Sequence, residues 1–163
     1  MCVAYLRTTA ELSLNRERYD AISLTYNPDG FTPMNGWLSQ FGIDRQHFYS
    51  DVIRKAHNER GFRVISHGDD KPIVITASKT QCWESEPFAT AEILHTADCE
   101  RTKKLCMLHF GSILGKFPFV AFRDCIRSVR QAKYWARIKE IDIYVPEEHQ
   151  IVANAIWAEE IKY

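Results

Sequence analysis

Residues 105–145 read LCMLHFGSILGKFPFVAFRDCIRSVRQAKYWARIKEIDIYV, and this stretch decides the fold. The apolar run LCMLHF has strand character and enters a loop punctuated by Gly111 and Gly115 and closed by Pro118. A long amphipathic segment follows, then the compact run EIDIYV, residues 140–145. Strand, loop, helix and second strand in that order make a βαβ unit, because parallel strands need a long crossover between them. The loop opens the helix, where unpaired backbone N–H groups and the helix dipole favour an anion.

Upstream, CVAYLRTT leans to β, and YDAISLTY carries Ile22, Leu24 and Tyr26 at period two, so two early strands are expected. The turn formers of NPDGFTP place Asn27 at a strand end and the rest in a loop. NGWLSQFG predicts a short helical turn closed by Gly42, and residues 44–61 predict a helix capped by Asp44 and stopped by Gly61. FRVISH and KPIVITAS read as strands around the turn HGDDKP, either as a hairpin or apart. Residues 85–104 predict a helix with Ser85 as cap, Pro87 in its first turn and a basic C-terminal end. The helix after the glycine loop is expected to carry on through Arg137, and a last helix to run from Pro146 to about Lys162. Such alternation favours an α/β sheet of largely parallel strands with helices on both faces.

At 163 residues the chain fits one domain, 1–163, with a core large enough to fold without staples. A hydrophobic share of 45% with 26% charged residues is ordinary for a globular protein, which excludes disordered and collagen-like classes. Lys+Arg 21 balance Asp+Glu 21, so no global field draws the chain to nucleic acid or an anionic membrane, and such binding would need a local patch. The five cysteines, Cys2, Cys82, Cys99, Cys106 and Cys125, form no CxxC pair and no Cys/His spacing suited to zinc. They read as reduced thiols of a cytoplasmic protein. No apolar stretch approaches the roughly 18 residues of a membrane helix, so no membrane partner is expected.

The segments LCMLHF, GSILGKFP, FRDCIRSVRQAKYWARIKEIDIYVP and HQIVANAIWAEEI, in this order, resemble the C-terminal half of macro domains, the ADP-ribose-binding α/β/α modules. In that family a strand leads into a phosphate loop that usually reads STGIYGFP, followed by a helix, an IKEV strand and a closing helix. YDAISLTYN is similar to the family's DAIVNAAN strand, with Asp20, Ala21 and Ile22 matching in order and Asn27 on the last asparagine. The resemblance implies a three-layer α/β/α macro-like domain with a mixed, largely parallel sheet. It also implies a nucleotide ligand, with Asn27 at the distal ribose and, in an enzyme, orienting the water of a hydrolysis. Two departures stand out. LRTT, residues 6–9, replaces the family's GDIT-like turn and lacks its adenine-reading aspartate, and FTPMNGWL, whose Asn35 is a candidate for ribose hydroxyls beside Asn27 and Asp29, offers only Gly36 where the family has a glycine run.

Within the second loop, Gly111, Ser112, Ile113, Leu114, Gly115 and Lys116 are candidate phosphate ligands, and Tyr26, Phe110 or Phe117 is a candidate for ring stacking. An ordinary strand-to-helix turn would use the same glycines. Asn27 offers donor and acceptor to a vicinal diol, although Asn in a turn also caps its own backbone. Arg123, Arg127, Arg130, Lys133 and Arg137 recur at spacings of four, three, three and four, the pattern of one helix face. Such a stripe serves either as a solvated surface or as a patch for nucleic acid or an acidic protein. The six histidines form no HExxH motif, no GxSxG elbow occurs, and the turn His67–Asp70 and the pair Ser78–Lys79 lack the further groups that a metal site or nucleophile needs. No cofactor and no metal is expected. Two functions remain: a nucleotide binder acting as reader, sequestering protein or weak hydrolase, and a non-catalytic interaction protein that kept the fold and uses its basic helix.

Overall fold

In the computed structural model, which describes residues 2–26, 35–44, 46–48, 50, 63–66, 68, 70–78, 86–108 and 119–161, the apolar runs become strands. Strand β1 is Val3–Thr8, β2 Ala21–Tyr26, β3 Arg63–Ile65, β4 Ile73–Ser78, β5 Lys104–Met107 and β6 Glu140–Val145. Helix α1 is Leu12–Asn15, α2 Asn35–Gln40, α3 Glu86–Cys99, α4 Phe119–Ala132 and α5 Gln150–Ile161. Single 3-10 turns flank α1 at Thr9–Glu11 and Arg16–Arg18, and another, Glu147–His149, leads into α5. Most of the helix expected over residues 44–61 lies outside the described residues. Its start is present: the Asp44 carboxylate accepts the N–H of Gln46 at 3.0 Å, the expected cap.

The six strands form one sheet in the order β1-β6-β5-β2-β4-β3. All neighbours are parallel except β3 and β4, which pair antiparallel from Arg63↔Thr76 to Ile65↔Val74. The two middle runs therefore make a hairpin, and the sheet is mixed and largely parallel. Period-two alternation sends Leu105, Met107, Ile141, Ile143 and Val145 into one core, with Leu94 of α3, Phe122 and Ile126 of α4, and Ile156 of α5. The intervening residues Ile22, Val74, Cys106 and Tyr144 enter a second core with Leu12, Leu38, Phe41 and Ile43. The layers are thus α/β/α, and each fully buried aliphatic side chain contributes about 1.5–3 kcal/mol toward holding them.

Helix α4 packs through Phe122, Cys125, Ile126, Val129 and Ala132, all buried at spacings of three and four. It ends at Ala132, short of the Arg137 that the charge spacing predicts. Lys139 and Glu140 must both donate to the Lys103 carbonyl, at 2.8 and 3.0 Å, to start β6, and the chain turns at residues 133–135 to reach it. Helix α3 also stops early, at Cys99, so Lys104 opens β5 rather than closing a helix. Its stop is a left-handed residue, Arg101 at φ 59°, after which Thr102 donates to the Ala97 carbonyl at 3.0 Å. Asp20 fixes the next element, since its carboxylate accepts the N–H groups of Lys103 and Lys104 at 3.1 and 3.0 Å.

A polar chain runs through the second core. The Tyr19 hydroxyl donates to Asp142, so Tyr144 must donate to Tyr19, and Asn15 donates to Tyr144 in turn. Arg7 reaches the same carboxylate oxygen at 2.9 Å. Burial pushes Asp142 above the usual carboxylate range, although Tyr19 and Arg7 pull the other way. Burial likewise pushes the Tyr144 hydroxyl up to about 12. At Arg7 burial acts downward and the Asp142 carboxylate more than offsets it.

Two outcomes are expected. Arg101 carries a Cβ in a conformation that costs an L-residue about 1–2 kcal/mol, partly offset by the greater freedom of unfolded glycine, so Arg101→Gly should stabilise by about 0.5–1 kcal/mol in urea titrations. The folded chain binds the Asp142 proton more readily than the unfolded chain. The wild type should therefore gain stability relative to Asp142→Asn as pH falls from about 7 toward about 4. A difference that stays flat or shrinks over that range would contradict this assignment.

Candidate functional site

Five parallel strands end on one rim of the sheet, at Thr8, Val145, Met107, Tyr26 and Ser78. From β2 the chain passes toward β4 on one side, and from β5 it passes through α4 to β6 on the other. The connections thus diverge between β2 and β5, which are adjacent, with Ser23 opposite Met107 and Leu108 donating to the Ser23 carbonyl at 2.8 Å. A crevice at such a switch point is where open α/β sheets bind ligands. Both loops singled out by the sequence leave the sheet here, one after Tyr26 and the other after Leu108.

Asn27 and the whole set Gly111, Ser112, Ile113, Leu114, Gly115, Lys116 and Phe117 lie outside the described residues. The strand ends beside them are described. Asn35 and Gly36 form the first turn of α2, which Leu38 anchors in the second core and which closes at Gly42, φ 70°, as predicted. Gly42 occupies the left-handed region that a side chain would strain. Helix α4 starts at Phe119, directly after the glycine loop, and has no acidic residue in its first turn to compete with an anion.

Missing from the sequence reading was a carboxylate at the end of β1. Glu11 turns back so that Oε2 accepts the Thr8 N–H at 2.7 Å, completing a capping box with the Thr8 side chain. The signal was present as Thr8-Thr9-Ala10-Glu11, an S/T-x-x-E pattern. No aspartate stands in this turn, but an acidic group does lie on the rim, engaged by its own backbone.

The basic stripe divides among internal partners. Arg127 grips Glu160 in α5 with two bonds, Nε to Oε2 at 3.1 Å and Nη2 to Oε1 at 3.0 Å. Arg123 reaches Glu160 and Glu159, each at 3.3 Å, and Arg130 donates to the Glu160 main-chain carbonyl. Arg137 lies past the helix end, where its backbone N–H donates to Asp98 at 2.8 Å and its side chain meets the same carboxylate at 3.3 Å. Lys133, also past the end, sits 4.9 Å from the Tyr134 ring centroid. The five do not form one open helix face, because four of them tie α4 and the turn after it to α5 and α3. The Arg127 hydrogen bond holds Glu160 below the usual carboxylate range, and the Arg137 backbone N–H does the same for Asp98.

Among the described residues no group of three or more His, Cys, Asp or Glu could hold a metal, and no helix is long and apolar enough to cross a membrane. His67, Asp69 and Lys79, from the turn and the Ser-Lys pair weighed above, are outside the described residues. Cys2, Cys99, Cys106 and Cys125 are not in disulfides, and burial pushes Cys106 far above the usual thiol value.

No protein-family profile matches the sequence, and no curated protein is similar to it. The fold, however, is that of solved macrodomains. The chain resembles the macro domain of ganglioside induced differentiation associated protein 2, with a TM-score of 0.68 at 13% identity over 96% of this chain and 81% of that one. It also resembles a point mutant of the Oceanobacillus iheyensis macrodomain solved with ADPR, with a TM-score of 0.69 at 12% identity over 99% and 93%. Poly(ADP-ribose) glycohydrolase from Deinococcus radiodurans, in complex with ADP-ribose, gives 0.54 at 15% identity over 99% and 84%. The chain has the macrodomain fold, in a sequence far diverged from these.

The Glu160 clamp carries a pH signature opposite to that of Asp142. A carboxylate whose folded pKa is lowered adds stability above its ordinary value of 4.5 and loses it as pH falls through the folded value. Glu160→Gln should therefore be less stable than the wild type near neutral pH, and the gap should close below that ordinary value. Thermal unfolding across the range checks this.

Proposed function

We propose that the chain binds an ADP-ribose-like nucleotide in the crevice between the C-terminal ends of β2 and β5. One observation carries the reading: the switch point lies between two adjacent strands whose outgoing segments are the ones that resemble the family's ribose and phosphate elements. In this reading the backbone of Gly111, Ser112, Ile113, Leu114 and Gly115 faces the diphosphate, Lys116 adds a full positive charge, and the start of α4 adds its dipole. Asn27 meets the distal ribose, with Asn35 and Gly36 bordering the same side, and Phe117 stacks on a ring. Solved neighbours with this fold carry ADPR or ADP-ribose, which supports the ligand class.

The same residues suit a reader, a sequestering protein or a weak hydrolase. Hydrolysis would require Asn27 to orient a water, while recognition alone would need Asn27 only as a hydrogen-bond partner. A rival role for the basic helix in holding nucleic acid loses support from the ion pairs, which already occupy Arg123, Arg127 and Arg137.

Calorimetric titration with ADP-ribose tests the binding. Saturable heat is expected, with affinity falling more than about tenfold in Gly115→Glu, which sets a charged side chain against the diphosphate. The absence of heat at millimolar ligand would overturn the proposal. Turnover of an ADP-ribose ester that disappears in Asn27→Ala while binding persists would assign catalysis.

A further inference from the structure

On the opposite rim, where the strands begin, two clefts adjoin, one between β1, the second half of α4 and the end of α5, the other along the last turns of α4 and the turn after it. One, of about 150 Å³, is lined by apolar side chains that include Ile126, Val129 and Trp157. The other, of about 270 Å³, includes Tyr134. Arg130 and Lys133 line both, so the two chambers meet at a pair of cations. Their partners differ from those of the neighbouring arginines. Arg130 is anchored by a neutral main-chain carbonyl and Lys133 by the face of a tyrosine ring, and among the described residues neither has a carboxylate partner.

A guanidinium with spare N–H groups beside an ammonium is the donor set that carboxylates and phosphates select. An apolar cavity of about 150 Å³ accommodates a body the size of benzene. We propose that this double cleft binds a small organic anion. Its aromatic or compact aliphatic part seats against Ile126, Val129 and Trp157, and its carboxylate or phosphate is held between Arg130 and Lys133. The site borders the N-terminal ends of the strands, so it is separate from the β2/β5 crevice and does not depend on the nucleotide reading.

The test is an NMR titration of the full labelled chain with phenylacetate and with phenyl phosphate, using benzyl alcohol and acetate as probes that each lack one half of the chemistry. Saturable shifts are expected at Ile126, Val129 and the Trp157 indole with one or both aryl anions, and whichever binds more tightly assigns the head group. Binding should be weaker by about tenfold for benzyl alcohol and acetate, and by about tenfold for the aryl anions in Lys133→Gln. Arg130→Gln should weaken it similarly; should that variant fail to fold, Lys133→Gln carries the test, since the Lys133 side chain is exposed. Shifts that do not saturate, that centre elsewhere, or that are unchanged in Lys133→Gln would overturn the proposal.

Discussion

Strand β5 constrains everything else. It is only four residues long, yet it is parallel to β2 on one edge and to β6 on the other, and it is buried from Leu105 to Met107. Parallel pairing cannot be closed by a hairpin, so the chain must leave β5, cross one face as α4 and return as β6. Because β2 continues toward the other side, the exits of β2 and β5 diverge at one point on the rim. The Asp20 carboxylate sets this pairing, taking the N–H groups of Lys103 and Lys104 immediately before β2 and β5 run side by side. Loss of that register would move the crevice and both cores together, since a one-residue slip exchanges the faces of a strand.

On β6 the second core holds a carboxylate, Asp142, while the residues of the same strand that enter the first core are apolar. Asp142 and Tyr144 project from β6 to the face covered by α1 and α2, where Tyr19 and Arg7 can reach Asp142. Ile141, Ile143 and Val145 project to the face covered by α3, α4 and α5, which is apolar throughout at that strand. A buried ion pair is weak evidence for stability, because desolvation rivals the Coulomb gain. The raised Asp142 pKa expresses that balance: burial outweighs both of its partners. The network thus serves geometry more than stability, joining β1, β6 and the segment before β2 at one buried point.

Much of this was legible in the sequence, and the reasons are local. EIDIYV, YDAISLTY and KPIVITAS are short, β-branched and bounded by polar residues, so their strands could be read one by one. The choice between hairpin and separate strands around HGDDKP could not, because pairing partners are set by the whole sheet. Helix ends failed for a similar reason: the basic residues after Cys99 suit a helix C-terminus, but β5 needs Lys104 as its first residue. The two candidate loops were singled out by resemblance and turn chemistry and lie outside the described residues, while the capping box at Thr8 and Glu11 follows from the local pattern Thr8-Thr9-Ala10-Glu11. The internal use of the arginines was invisible, since Glu159 and Glu160 lie more than 20 residues away and only the packing of α5 on α4 brings them near.

That packing also accounts for where charge is left over. A helix C-terminus favours cations, so Arg130 in the last turn of α4 and Lys133 just beyond it suit the helix dipole without any further role. The same argument holds for α5, whose final carbonyls attract Arg130. Two helices that end side by side therefore concentrate negative dipole ends, and cations gather to meet them. The gathered charge exceeds that local demand, because Arg123 and Arg127 already share Glu159 and Glu160 while Arg130 and Lys133 have no carboxylate among the described residues. Dipole ends carry only about half a charge each and are screened by water, so they compensate two full cations incompletely. An external anion completes the balance most readily at the point where those two cations face a cleft with an apolar wall.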